Sequence, residues 1–289
     1  MTEKIAILTD STSDLTEDTI GDLPIYTLPL KIIYSDSEYQ DKVDITPQEI
    51  YDNFEEEIPK TSLPGIQETK EKLNQIKKDG YDKVIAIHIS SGLSGTYNMV
   101  RMVSEEVEDL EMEVIDSKAL SMALGNVVLY AAKLSQAGNK FDDIITKIKE
   151  KIKDIDIYFV VGTLKYLKEG GRIGKVRGTI GSLLNIKPIV SVDKEDGKYY
   201  THKNSRGRKK SLNELYKIAK NKIQEGISKV DVIHGNAKEE AKELFERLKK
   251  LDNVKETFFG DLGPAMVVHA GPGLIAVAIT KISDEEFGL

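Results

Sequence analysis

Cysteine is absent from the 289 residues, which excludes disulfides, thiolate nucleophiles and sulfur-ligated metals and fits a reducing compartment. No stretch approaches the roughly 20 apolar residues that a membrane span requires. The opening Met-Thr-Glu-Lys is followed by apolar residues only from Ile5 to Leu8 before Asp10. That run is too short, and its flank too acidic, for a secretion signal, so a cytoplasmic chain is expected. Histidine is scarce, at four, and no two are spaced as a metal pair. Positive charge is outnumbered, 41 Lys and Arg against 48 Asp and Glu for a net charge of −7, which argues against general nucleic-acid binding because phosphate contacts need a positive surface. What is present is ordinary globular material, 40% hydrophobic and 31% charged, in a chain longer than one core usually serves. Two domains are therefore expected, 1–158 and 159–289, with the cleft between them as the ligand site.

The order of elements gives the fold class. Ile5 to Leu8 reads as a strand, Thr9 to Ser13 as a turn, and the acidic segment to Ile20 as a capped helix start. Val84 to Ile89 is a strand buried on both faces. It leads through the turn Ser90 to Gly95 into a helix with Val100, Val103, Val107 and Leu110 on one side, and then into a strand from Met112 to Ile115. Helical stripes recur at Phe141, Ile144, Ile145, Ile148, Ile152 and at Ala241, Leu244, Phe245, Leu248, Leu251. Beyond Asp156 the texture changes to strands at 158–162, 186–192, 199–202, 230–234 and 274–280, with a hairpin signal at Asp196-Gly197. The prediction is an α/β protein with an N-terminal parallel-sheet domain and a C-terminal α/β domain whose sheet is mixed or antiparallel.

Four features can carry chemistry. The turn Ser90 to Thr96 joins a strand to a helix, where free amides and the helix dipole favour an anion, although Ser94 alone serves equally well as a helix cap. Thr96 stands where a nucleophile elbow needs glycine, so an acyl-enzyme serine is not expected. Thr61-Ser62 precedes Leu63-Pro64-Gly65 and a polar helix to Gly80, and in isolation it reads as a helix entry. His269 is bracketed by Gly263-Pro264 and Gly271-Pro272-Gly273 just before an apolar strand. An imidazole held this way can donate to a carboxylate, or merely be structural. His88, His202 and His234 read as structural. The last feature is positive charge. From Lys165 to Arg177 five cations meet one glutamate, and from Lys198 to Lys210 six cations meet no acid. In an acidic chain this suggests a docking face for an acidic partner or phosphate.

Enzyme signatures fail. Gly174-Lys175 is followed by Val176 where a P-loop needs Ser or Thr, Asp10-Ser11-Thr12 lacks a second aspartate, and Gly271-Pro272-Gly273 lacks the third glycine of a dinucleotide loop.

Taken in order, Thr9-Asp10-Ser11-Thr12-Ser13-Asp14-Leu15, Thr61-Ser62-Leu63-Pro64, Ser91-Gly92-Leu93-Ser94-Gly95-Thr96-Tyr97, Leu164 to Ile173 with its Gly170-Gly171-Arg172, and His269-Ala270-Gly271-Pro272-Gly273 resemble the bacterial DegV family. The resemblance implies a fatty-acid-binding protein and not an enzyme in its own right. It also implies a partner, a separate ATP-dependent fatty acid kinase whose acyl phosphate product feeds phospholipid synthesis. The family pattern places the carboxylate of a long-chain fatty acid near Thr61, Ser94 and His269, with Ser62 and Gly95 beside them and the acyl chain between the domains. Arg172 and Arg206 then face the kinase. No cofactor or metal is implied. Leu63 departs from the polar residue expected before Pro64, which alters the pocket mouth. Gly178 to Ile186 and Leu274 to Ala278 are candidates for the tunnel wall, or plain core. The rival reading is a phosphotransferase or hydrolase using Asp10, Ser94 and His269.

Overall fold

The computed structural model describes residues 3–179, 186–283 and 286. Its N-terminal sheet has the strand order Ile25–Leu28, Ile5–Asp10, Lys83–His88, Glu111–Asp116, every pair parallel. Parallel strands need covering on both sides, and alternate side chains supply two interfaces. Ala6 and Leu8 pack with Leu73, Ile76, Val100 and Val103 of the helices Ile66–Lys78 and Thr96–Ser104. Ile5 and Ile7 point the other way, into the main core.

The C-terminal sheet is mixed, as the hairpin and texture predict. Its order is Tyr199–Lys203, Ile189–Val192, Ile155–Val160, Leu274–Lys281, Ser228–Gly235, Val254–Asp261, with only the last pair parallel. One face buries Val230, Val232, Ile275 and Val277 against the helices Arg208–Ile223 and Lys238–Leu248. The other turns Ile155, Ile157, Phe159 and Ala276 into the main core.

Both sheets share one covering element. The helix Ser121–Gln136 lies between them, and Met122, Leu124, Val127, Val128, Ala131 and Ala132 are each fully buried. Asn126 fastens it to the C-terminal sheet, donating to Asp231 at 2.5 Å and to Thr280 at 2.9 Å.

A third sheet, in the order Glu38–Gln40, Lys31–Ile33, Lys60–Ser62, is small and antiparallel. It corrects one expectation. Thr61 and Ser62 are strand residues opposite Ile32 and Lys31, and the helix behind them starts only at Ile66. His269 differs likewise, lying in the last turn of a helix, Pro264–Ala270, that opens on proline at its first position. The helix after Gly95 stops at Ser104, so Val107 and Leu110 belong to the following loop. Among the described residues no helix is long and apolar enough to cross a membrane.

Candidate functional site

Three loops and a strand end meet where the small sheet, the tip of the parallel sheet and the His269 helix converge. Strand Lys60–Ser62 contributes Thr61 and Ser62, both half-buried. The turn after strand Lys83–His88 brings Ser94 and Gly95, and Gly95 is the N-cap of helix Thr96–Ser104. Ser94 Oγ caps that helix weakly, accepting from the Thr96 amide at 3.3 Å, and lies 2.9 Å from Thr96 Oγ1. The turn is pinned from the other half of the molecule, since the Ser90 hydroxyl donates to the carbonyl of Gly197, at the hairpin turn, at 2.8 Å.

Thr61, Ser62, Ser94, Gly95 and His269 all line one cavity, of about 130 Å³. Leu30, Leu63, Ile89, Leu93 and Met266 make much of the remaining wall. Thr61 Oγ1 and His269 Nε2 are 2.7 Å apart although 208 positions separate them in the chain. The other ring nitrogen, Nδ1, is buried without a hydrogen-bond partner. It faces Gly170, where a Cβ would collide with it. Burial and the nearby Arg172 charge push the imidazole pKa down to about 3, so His269 is neutral at physiological pH.

Arg172 also lines the cavity, and among the described residues it is the one charged side chain there. Its Nε donates to the Leu93 carbonyl at 3.1 Å and its Nη1 to the Gly170 carbonyl at 2.7 Å. Sequence reasoning placed Arg172 only on a partner-facing surface. Its direction is set by the turn through Gly171, whose φ of 72° no residue pattern announces. Tyr199 and Thr12 enter the wall unforeseen as site residues. Arg206 lies elsewhere, exposed and bridged in isolation to Ile186.

Asp10 sits behind the site and not in it. It is fully buried, 3.0 Å from His88 Nδ1, and it accepts from the Ile89 amide at 3.0 Å and from Thr12. Burial pushes its carboxyl up, but the His88, Thr12 and Ile89 hydrogen bonds outweigh that and hold it below the usual carboxylate range. Among the described residues no hydrogen bond joins Asp10, Ser94 and His269 to one another, and a nucleophile with its base requires such contact. Leu274 to Ala278 is core strand, and none of its residues lines the cavity. Of the stretch Gly178 to Ile186, residues 180–185 lie outside the described residues.

A family model described as "Uncharacterised protein, DegV family" matches residues 4–281. A DegV domain-containing protein of Clostridium acetobutylicum is 46% identical over 280 residues, which cover 96% of this chain and 99% of that protein. Among solved structures, a fatty-acid-binding DegV family protein from Thermus thermophilus superposes with a TM-score of 0.90 at 28% identity, over 96% of this chain and 100% of the other. A stearic-acid-binding protein from Eubacterium ventriosum gives a TM-score of 0.86 at 28% identity, over 99% and 100% of the two chains. The family match leaves out only the first three residues and the last eight; this chain belongs to the DegV family.

Proposed function

We propose that this protein binds a long-chain fatty acid, gripping its carboxylate in the cavity at Thr61, Ser62, Ser94, Gly95 and His269 while the acyl chain runs between residues 1–158 and 159–289. The observation that carries the reading is the 2.7 Å contact of Thr61 with a neutral His269 inside a largely apolar cavity. With the ring proton on Nε2, the imidazole donates to Thr61 Oγ1, and the threonine hydroxyl is free to donate to a ligand oxygen. Ser62 and Ser94 add hydroxyl donors, and the amides around Gly95 add the positive end of a helix. Arg172 has spent two of its five N–H donors on carbonyls and keeps the others for the carboxylate. Its charge removes the cost of burying an unpaired anion.

Affinity then comes from the tail. Burying about fifteen methylenes contributes roughly 12 kcal/mol gross at about 0.8 kcal/mol each, and the head group fixes direction. The fatty acids bound by the Thermus and Eubacterium relatives support the same ligand class here. Ser94, the hydroxyl of the hydrolase reading, is hydrogen-bonded to Thr96 and, among the described residues, not to Asp10 or His269, which disfavours that reading. The role we assign is that of a cytoplasmic carrier that presents its fatty acid to a separate ATP-dependent kinase. Between Lys198 and Lys210, Lys203 and Arg208 pair with Glu214 and Glu240, and we assign the docking face for that partner to the exposed Arg206, Lys209 and Lys210.

The head-group reading is tested by titrating delipidated protein with oleate and with methyl oleate. The two share a tail, and the ester has no charge. Oleate is expected to bind at least tenfold more tightly, since hydrogen bonds to a charged group contribute about 1.5 to 3 kcal/mol. Equal affinity would mean that the cavity does not read the carboxylate.

A further inference from the structure

The helix Pro264–Ala270 that carries His269 has only seven residues, and a helix so short has little stability of its own. Its position must come from what holds its ends. At the C-terminal end His269 meets Thr61. At the N-terminal end Pro264 has no N–H, and the amides on either side of it are taken by two carboxylates from distant parts of the chain. Gly263 N–H donates to Asp14 Oδ1 at 3.1 Å, and Ala265 N–H donates to Asp41 Oδ1 at 2.9 Å.

Both carboxylates are buried, at 4% and 1% exposure, and burial pushes Asp41 up to about 6. Asp14, in the left-handed region at φ 56°, accepts from the Ser121 hydroxyl at 2.5 Å and lies 3.1 Å from Lys42 Nζ. Gly263 permits this approach, because a Cβ there would stand 2.6 Å from Asp14 Oδ1 and from Lys42 Cε. Asp41 follows directly on strand Glu38–Gln40, in the same small sheet whose third strand carries Thr61. One sheet therefore touches the helix at both ends, through Asp41 at the first turn and Thr61 at the last. Serine or asparagine would cap a helix without burying charge; a carboxylate holds an amide more tightly and suits the positive end of the helix dipole.

We propose that Asp14 and Asp41 are positioning residues of the head-group site, fixing the height and rotation at which helix Pro264–Ala270 presents His269 to Thr61. The functional meaning rests on the fatty-acid reading above; the geometry does not. Asp41 is the sharper test, because its removal deletes the hydrogen bond by which the end of strand Glu38–Gln40 holds the first turn of the helix.

The experiment uses the full chain with labelled histidine, following the His269 side-chain nitrogens through a pH titration by NMR, with oleate affinity measured alongside. In the wild type the ring is expected to stay neutral throughout the range above pH 6, where Asp41, itself pushed up by burial to about 6, is ionised. In Asp41→Ala it is expected to titrate nearer the ordinary value of about 6.5, and oleate affinity to fall about tenfold. Asp41→Asn keeps an acceptor and is expected to restore both. Gly263→Ala, which pushes on Asp14 without deleting a buried group, is expected to move the ring in the same direction and remains informative if Asp41→Ala does not fold. Leu244→Ala, a core deletion under the C-terminal sheet, is expected to lower the melting temperature and leave the ring unchanged. The proposal is overturned if the ring titrates identically in wild type, Asp41→Ala and Gly263→Ala, if Asp41→Asn fails to restore it, or if Leu244→Ala reproduces the shift. A wild type that takes up no oleate while its ring responds as stated sinks the fatty-acid reading and leaves the positioning intact.

Discussion

Thr61 and His269 act as one unit, and substitutions should show it. Thr61→Val keeps the branched shape and deletes the hydroxyl. His269→Ala deletes the imidazole. Each is expected to weaken oleate binding by about 1.5 to 3 kcal/mol, the range for a bond to a charged group. Combined, they are expected to cost clearly less than the sum, because either one breaks the same chain of donors. Strict additivity by calorimetry would show two independent contacts. Gly170→Ala should reproduce much of the His269→Ala loss without deleting any polar group, since its Cβ takes the space of Nδ1; unchanged affinity there would show that the ring can relocate. At this scale the sequence was only partly legible. Each of Thr61, Ser94 and His269 reads alone as a cap or a structural residue, and only their order along the chain, as a family pattern, marks them as a set. Arg172 could not be assigned to the cavity from sequence, because the direction of a long side chain is decided by the backbone turn beneath it.

Among the elements, the helix Ser121–Gln136 does most to join the molecule, and it is the one that periodicity hides. Its sequence, Ser-Met-Ala-Leu-Gly-Asn-Val-Val-Leu-Tyr-Ala-Ala-Lys-Leu-Ser-Gln, is apolar nearly all round because a sheet lies on either side, so no single stripe forms. The strands Lys31–Ile33 and Glu38–Gln40 are too short to display alternation, and Val254–Asp261 is a largely polar edge strand. By contrast, Val84 to Ile89 and the stripes at Phe141 and Ala241 announce themselves, since each has one apolar side or is buried on both in a short run. The polar link from this helix to the C-terminal sheet has a consequence for stability. Asp231 is fully buried, its Oδ1 has no hydrogen bond and only a 3.9 Å approach from Lys229 Nζ, and burial pushes its pKa up to about 6 from an ordinary 3.8. Below 3.8 the group is protonated folded and unfolded alike. Between 3.8 and 6 only the folded state holds the proton, so the contribution of Asp231 to stability falls as pH rises across that window and stays low above it. Asp231→Asn is expected to gain relative to wild type over the same window, by an amount on the order of 2 to 3 kcal/mol at neutral pH. Urea melts at pH 4 and pH 7.5 measure it, and a pH-independent difference would mean that the carboxyl is not strained.

Over the whole molecule, composition set limits that the fold respects. The parallel and mixed sheets fall where the change in texture near Asp156 predicts, with strand Ile155–Val160 already in the second sheet. The cavity draws Thr61, Ser94 and Gly95 from before that point and Arg172, Tyr199 and His269 from after it, which is why no local motif could describe it. Net charge is −7, yet the cations gather beyond Lys165, which is why the proposed docking face is placed in the C-terminal part of the chain. The direct measurement is native mass spectrometry of the protein as purified, followed by organic extraction and identification of what leaves. One long-chain fatty acid per chain, released by the solvent, is the predicted result. A protein at its bare sequence mass that also takes up no added oleate or stearate would contradict fatty-acid binding.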